Sequence, residues 1–133
     1  INLIQKLITK KYSVMLETSG SLKLSKIPKE VIKIVDFKCP SSNMKHKNDW
    51  SILSDIDKSD EIKFVIGNKE DYDWSKKMIK RYELNKLCPI LFSPVYNKMD
   101  IKDLSEWILA DGMNVRLQSQ LHKHIWGTEA TGV

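Results

Sequence analysis

The chain has 133 residues, 41% of them hydrophobic and 29% charged, with 22 basic against 17 acidic residues for a net charge of +5. That length and balance suit one globular domain with its own core, and no apolar run approaches the roughly 18 residues needed to span a bilayer. The basic excess is spread along the chain, densest at Lys10 with Lys11 and at Lys76 with Lys77, and neither pair is flanked by an aromatic stacking ladder, which argues against a nucleic-acid partner.

In chain order, Leu3, Ile4, Leu7 and Ile8 fall on one face of a helix. The chain opens inside that helix, at Ile1 and not at a methionine, so upstream sequence is expected to be missing; no solid apolar block marks a secretion signal, and a cytoplasmic protein is expected. Residues 13–17 read as a mostly apolar strand stopped by Thr18-Ser19-Gly20-Ser21, and a brief helix could start at Pro28. Residues 31–37, rich in β-branched side chains, form a second strand, and 38–43 a polar loop. Asp49 can cap a short helix carrying Trp50, Leu53 and Ile56. Ile62, Phe64 and Ile66 alternate through a strand at 61–66 that ends at Gly67-Asn68. Trp74, Met78 and Tyr82 recur every four residues, with Ile79 beside them, as an amphipathic helix.

Pro89 and Pro94 confine the next strand to about 90–93. Asp100 is read as the N-cap of a helix buried through Ile101, Leu104, Trp107 and Ile108 and stopped at Gly112. Val115, Leu117 and Ser119 suggest a last strand, 122–126 a short helix, and 127–133 a polar tail. Strands alternating with helices predict an α/β fold with a mainly parallel sheet and crossover helices, in a single domain over 1–133.

Ligands of a parallel sheet sit at the carboxyl ends of its strands, where loops and helix N-termini converge. The residues there are Glu17-Thr18-Ser19-Gly20-Ser21, then 36–42, then 118–123. Each has a plain alternative. Thr-Ser-Gly-Ser is also an ordinary turn with a helix cap. Lys38 with Ser41 and Ser42 is either a solvated loop or a place suited to a carboxylate or ribose. His122 and His124, two residues apart, diverge on a helix and do not share a metal. Cys39 and Cys88 have no second ligand at short spacing, so they are read as buried small residues and not as a disulfide, zinc or cluster site. No serine-hydrolase elbow, dinucleotide fingerprint or phosphate loop is present.

Three segments carry a family resemblance. Glu17-Thr18-Ser19-Gly20-Ser21 resembles the E-T-x-G-[ST] strand end of radical S-adenosylmethionine (SAM) proteins. Asp36-Phe37-Lys38-Cys39-Pro40-Ser41-Ser42 is similar to the D-x-K-x-P-S-S segment of the 7-carboxy-7-deazaguanine synthase family. Residues 116–127, RLQSQLHKHIWG, resemble that family's R-[LV]-x-x-Q-L-H-K-x-x-W-G close, and Gly132-Val133 its chain end.

The resemblance implies the C-terminal portion of a partial (β/α) radical SAM barrel, with the cluster-binding N-terminal half absent. The implied enzyme is a lyase of queuosine biosynthesis, a tRNA modification pathway. It converts 6-carboxy-5,6,7,8-tetrahydropterin to 7-carboxy-7-deazaguanine with loss of ammonia, using SAM, a 4Fe-4S cluster and Mg2+. Carried over residue by residue, Thr18, Gln120, His122 and Val133 match substrate-binding positions; Gly20, Asp36, Phe37, Lys38, Ser41 and Ser42 match SAM-binding positions. Gly20 is expected to let the backbone approach SAM, and Lys38 to pair with its carboxylate. Asn43 departs from the glycine common after the two serines. The resemblance names no catalytic residue and no metal ligand here, so a cluster is not expected on this chain and the fragment is expected to be inactive alone. The implied partners are the pterin, the missing N-terminal half and a second copy in a homodimer, with no nucleic acid or membrane. Two other readings stay open: a non-catalytic SAM- or pterin-binding module, and a related enzyme that makes a glycyl radical on a partner protein.

Overall fold

The computed structural model describes residues 1–127 and 129–132. Among them, five strands form one sheet in the order β1-β2-β3-β4-β5: β1 (Met15–Ser19), β2 (Ile32–Phe37), β3 (Glu61–Ile66), β4 (Ile90–Pro94) and β5 (Arg116–Leu117). Every neighbouring pair is parallel. Helix α1 (Asn2–Thr9) precedes β1, α2 (Lys69–Arg81) joins β3 to β4, α3 (Ile101–Ala110) joins β4 to β5, and α4 (Leu121–Trp126) follows β5. The chain is thus α/β with an all-parallel sheet. No helix of the described residues is long and apolar enough to cross a membrane.

The expected alternation of strand and helix holds only in the second half. No helix starts at Pro28; the chain turns there instead, with Ile27 N–H donating to Leu24 O (2.8 Å) and Val31 N–H to Pro28 O (3.1 Å). Between β2 and β3 the connection uses three short 3-10 segments, Pro40–Ser42, Lys45–Lys47 and Trp50–Asp55. Asp49 does cap the last of these, accepting from Ser51 N–H at 3.0 Å. Leu24, Ile52 and Ile56 from these two connections are buried and cover the sheet in place of longer helices. β1 runs on to Ser19, so Thr18 lies within the strand and not beyond it. β5 is cut to two residues, leaving Val115 and Ser119 outside it.

α2 and α3 begin where their caps stand: Asn68 Oδ1 accepts from Asp71 N–H (2.9 Å) and Asp100 Oδ1 from Lys102 N–H (2.7 Å). α3 stops at Gly112, whose φ of +57° is the left-handed turn that glycine takes without a Cβ penalty.

The register gives the sheet two unlike faces. Val35, Phe37, Ile62, Phe64, Ile66, Ile90 and Phe92 share one face and are all buried, together with Tyr72, Ile79 and Leu104 from the helices. Trp50 lies between Phe37 and Tyr82, stacked on each at 4.3 Å between centroids, and Phe64 meets Phe92 edge-on at 6.0 Å. Burying each large apolar side chain contributes about 1.5–3 kcal/mol, so this face supplies the core. The other face carries Glu17, Asp36, Glu61, Lys63, Ser93 and Arg116. Ion pairs cross strands on it, Lys63 to Glu17 (2.8 Å) and Arg116 to Glu61 (2.5 Å).

Candidate functional site

Parallel strands bring all their carboxyl ends to one edge of the sheet, and two cavities open there. The first, about 410 Å³, is walled by Asp36 and Lys38 after β2, Ser41 and Ser42 in the turn that follows, Gly67 after β3, and Lys98 beyond β4. Asn48 fixes its rim: the side-chain amide accepts from Lys38 N–H (2.9 Å) and donates to Lys38 O (2.9 Å), so both main-chain groups of that residue are held. Lys38 Nζ in turn donates to Asp36 Oδ2 at 2.7 Å. The Ser42 hydroxyl donates to Cys39 O (2.6 Å) and accepts from Met44 N–H (3.2 Å).

The second cavity, about 460 Å³, lies beside it, between Pro94, Tyr96, Asp100, Gln120 and His124, and shares Lys98 with the first. Lys123 and His124 both sit against the Tyr96 ring, at 5.7 and 5.5 Å. A larger groove of about 620 Å³ opens at the opposite, amino end of the sheet, between Lys58, Asn85, Pro89 and Arg116, and contains none of the residues singled out above as ligand contacts.

Buried polar atoms distinguish the two ends. Among the described residues, Asp36 Oδ1, Ser93 Oγ and Gln120 Oε1 are buried with no hydrogen-bond partner. Such an atom costs about 1–3 kcal/mol when nothing satisfies it, and native proteins keep few of them. Asp36 lies at the end of β2, Ser93 at the end of β4, and Gln120 just past β5. All three belong to the carboxyl edge.

The expected ligand residues separate into groups. Asp36, Phe37, Lys38, Ser41 and Ser42 line the first cavity together, and Gln120 the second. The Phe37 ring is wholly buried against Trp50, so that residue can offer a ligand main chain only. Thr18, Gly20 and His122 line neither cavity. Thr18 pairs with Val35 and so shares the core face, its hydroxyl 3.4 Å from Ser19 O. Gly20 is buried, and a Cβ there would stand 2.5 and 2.7 Å from the Phe37 ring; the glycine is required by that ring, whatever else approaches it. His122 is exposed on α4. Val133 lies outside the described residues.

No protein-family profile matches the chain. Individual relatives do. It is 36% identical, over 98% of its length, to a 7-carboxy-7-deazaguanine synthase of Koribacter versatilis, and 36% identical over 90% to one of Chlorobaculum tepidum. A 7-carboxy-7-deazaguanine synthase of Methanospirillum hungatei is 32% identical over 92% of the chain. Over 90–98% of its own length the chain is thus similar to 7-carboxy-7-deazaguanine synthases. It spans 63%, 56% and 50% of those three relatives' own lengths.

The cysteines present do not fit an iron–sulfur cluster. Cys39 and Cys88 are buried on different elements, and burial pushes each thiol up to about 12, far from the thiolate that iron requires. Among the described residues no group of three His, Cys, Asp or Glu side chains could hold a metal ion. SAM is a different case. Asp36 lines the first cavity and its buried Oδ1 has no partner, which suits a ligand carrying hydroxyl or ammonium donors.

Sequence reasoning missed Asn48, Asp71 and Lys98. Asp71 had a signal, because Asn68 and Asp71 stand at capping-box spacing and a carboxylate there turns back to the N–H groups at the helix start. Asn48 and Lys98 had none: Lys98 meets the cavity, and Asn48 the Lys38 main chain, through loops whose path no local pattern encodes.

Proposed function

We propose that this chain is the SAM- and substrate-facing part of a radical SAM 7-carboxy-7-deazaguanine synthase. The reaction is the conversion of 6-carboxy-5,6,7,8-tetrahydropterin to 7-carboxy-7-deazaguanine with loss of ammonia, on the queuosine pathway in the cytoplasm. The observation that carries the proposal is the gathering of all three unpartnered buried polar atoms at the carboxyl edge that also holds the family-like segments. The charged second face of the sheet supports it as well. Parallel sheets are normally covered on both faces, and a face bearing Glu17, Asp36, Lys63 and Arg116 suits the interior of a partial (β/α) barrel better than a packed core.

On this reading residues 1–133 are one domain, the C-terminal part of the radical SAM core. The relatives' additional length supplies the cluster cysteines and the Mg2+ site, and the fragment is inactive alone. Bound SAM supplies the radical chemistry; the residues here bind, orient and exclude water. Asp36 Oδ1 accepts from a SAM hydroxyl or ammonium, and Lys38 is the cation available to its carboxylate. Ser41 and Ser42 complete that wall, Phe37 contributes main chain, and Gly20 holds the Phe37 ring in place. Gln120 Oε1 is the acceptor offered to the pterin, with Thr18, His122 and Val133 in the family's remaining substrate positions.

The test is calorimetric titration of the intact protein with SAM. Asp36→Asn is expected to weaken binding at least about tenfold while the far-ultraviolet spectrum stays unchanged, the range for a lost charge-assisted hydrogen bond. Affinity unchanged in that variant would remove the main support. Anaerobic iron and sulfide reconstitution of residues 1–133 alone should leave no cluster absorbance; stoichiometric iron on this chain would refute the division of labour.

A further inference from the structure

We propose that Asp71 is a positioning residue that sets the Ser41 hydroxyl as an acceptor, so that this serine reads a donor on the ligand and not its carboxylate. The inference rests on the reading of that cavity as the SAM site. Asp71 is fully buried in the first turn of α2 and does not line the cavity. Its Oδ1 accepts from Ser41 N–H at 2.8 Å; its Oδ2 accepts from the Ser41 hydroxyl at 2.5 Å and from Gly67 N–H at 2.8 Å. One carboxylate therefore ties the turn after β2 to the turn after β3, and Ser41 and Gly67 stand on the cavity wall.

The approach is close enough to exclude any side chain at Gly67, where a Cβ would lie 2.9 Å from Ser41 Oγ and 3.2 Å from Asp71 Oδ2. The chemical consequence follows from counting protons. A serine hydroxyl has one proton and two lone pairs. Ser41 gives its proton to Asp71, and Ser42 gives its proton to Cys39 O. Both hydroxyls are left with lone pairs alone for a ligand, one of the two on Ser42 already taken by Met44 N–H, and Asp36, whose buried Oδ1 has no partner, lines the same cavity. Such acceptors suit ribose hydroxyls or an ammonium group, and they leave a carboxylate to Lys38 and Lys98, which line the same cavity. The sequence reading of the two serines as suited to a carboxylate or a ribose is narrowed to the donor side.

The experiment measures SAM and decarboxylated SAM binding to the intact protein, its Ser41→Ala variant and its Asp71→Asn variant, with amide hydrogen exchange on each. Ser41→Ala is expected to weaken both ligands by the same factor, about three- to tenfold. Asp71→Asn puts an amide donor where an acceptor stood. It should weaken SAM about tenfold and speed exchange at Ser41 and Gly67 together, while the amides of β2 and β3 keep their protection. A Ser41→Ala penalty that vanishes with decarboxylated SAM would overturn the proposal, and so would normal SAM affinity in a folded Asp71→Asn protein. Should Asp71→Asn fail to fold, the Ser41→Ala comparison decides alone. Wild-type protein that binds neither ligand would sink the SAM reading itself, a separate outcome, and exchange at Ser41 and Gly67 would still report on the clamp.

Discussion

Lys33 and Asp60 form an ion pair inside the protein, Nζ to Oδ2 at 2.9 Å, with side chains 4% and 0% exposed. Lys33 stands on the core face of β2, two residues before Val35, at the end of the sheet remote from the candidate site. Asp60 also accepts from Lys33 N–H (2.8 Å, Oδ1) and from Asp57 N–H (2.9 Å, Oδ2). The carboxylate thus joins the turn entering β3 to the start of β2 and fixes the register in which Ile34 faces Glu61.

Removing one member of this pair should be costly, because it strands the other charge away from water. Lys33→Met is expected to destabilise the protein by about 3–5 kcal/mol, and Lys33→Met with Asp60→Asn to recover much of that loss. Chemical denaturation measures both, and SAM affinity of the folded fraction should not change. A single variant as stable as the wild type would mean that water reaches the pair.

A methyl group at Gly20 tests packing at the end of β1. The added carbon would meet the Phe37 ring at 2.5 Å, and that ring is buried and already stacked on Trp50 at 4.3 Å. Gly20→Ala is expected to cost about 1–3 kcal/mol by overpacking. The loss should appear with no ligand present and with a change in tryptophan emission. A variant of normal stability that binds SAM poorly would instead assign the glycine to the ligand.

What could be read in advance followed the range of the interaction concerned. β2, β3 and β4 were legible because Val35, Phe64 and Phe92 belong to runs whose apolar pattern is local, α2 because Trp74, Met78 and Tyr82 recur every four residues, and α3 because Asp100 caps it within three residues. The carboxyl-edge residues 36–42 were legible as a motif. Their geometry was not, since Asp71 reaches Ser41 across 30 positions and Asn48 reaches Lys38 across 10. Thr18 and Phe37 show a further limit. A motif names a position, whereas strand register decides that these two side chains share the core face. The helix-free crossovers after β1 and β2 were hidden for the opposite reason, because Leu24 and Ile52 bury as isolated residues with no period to follow.

The two thiols give a pH test. Burial dominates at both sites and raises Cys39 and Cys88 from 9.0 to about 12. The folded protein holds the neutral thiols after the unfolded chain has begun to ionise. Their contribution to stability is therefore intact below pH 9 and is lost between pH 9 and about 12. At pH 8 an aromatic disulfide reagent should find no reactive thiol in the folded protein and two after denaturation. Rapid titration of either cysteine in native protein would contradict the burial.

The free edge of the sheet yields the last expectation. Among the described residues β1 pairs with β2 alone, leaving the main-chain groups on its other side without a strand there, and Met15 is 60% exposed beside them. α1, which leads into this edge, buries none of its residues. Unpaired edges of this kind recruit further strands, and a charge placed on them is the usual block. Residues 1–133 alone should therefore self-associate, with a sedimentation coefficient that rises with concentration, and Met15→Lys should lower that rise. On the proposed reading, a longer form that carries the relatives' additional length to cover the edge should be insensitive to the same substitution. Equal sensitivity in both would place the association elsewhere, and a concentration-independent monomer of residues 1–133 would show that the edge is blocked by its own twist or charge.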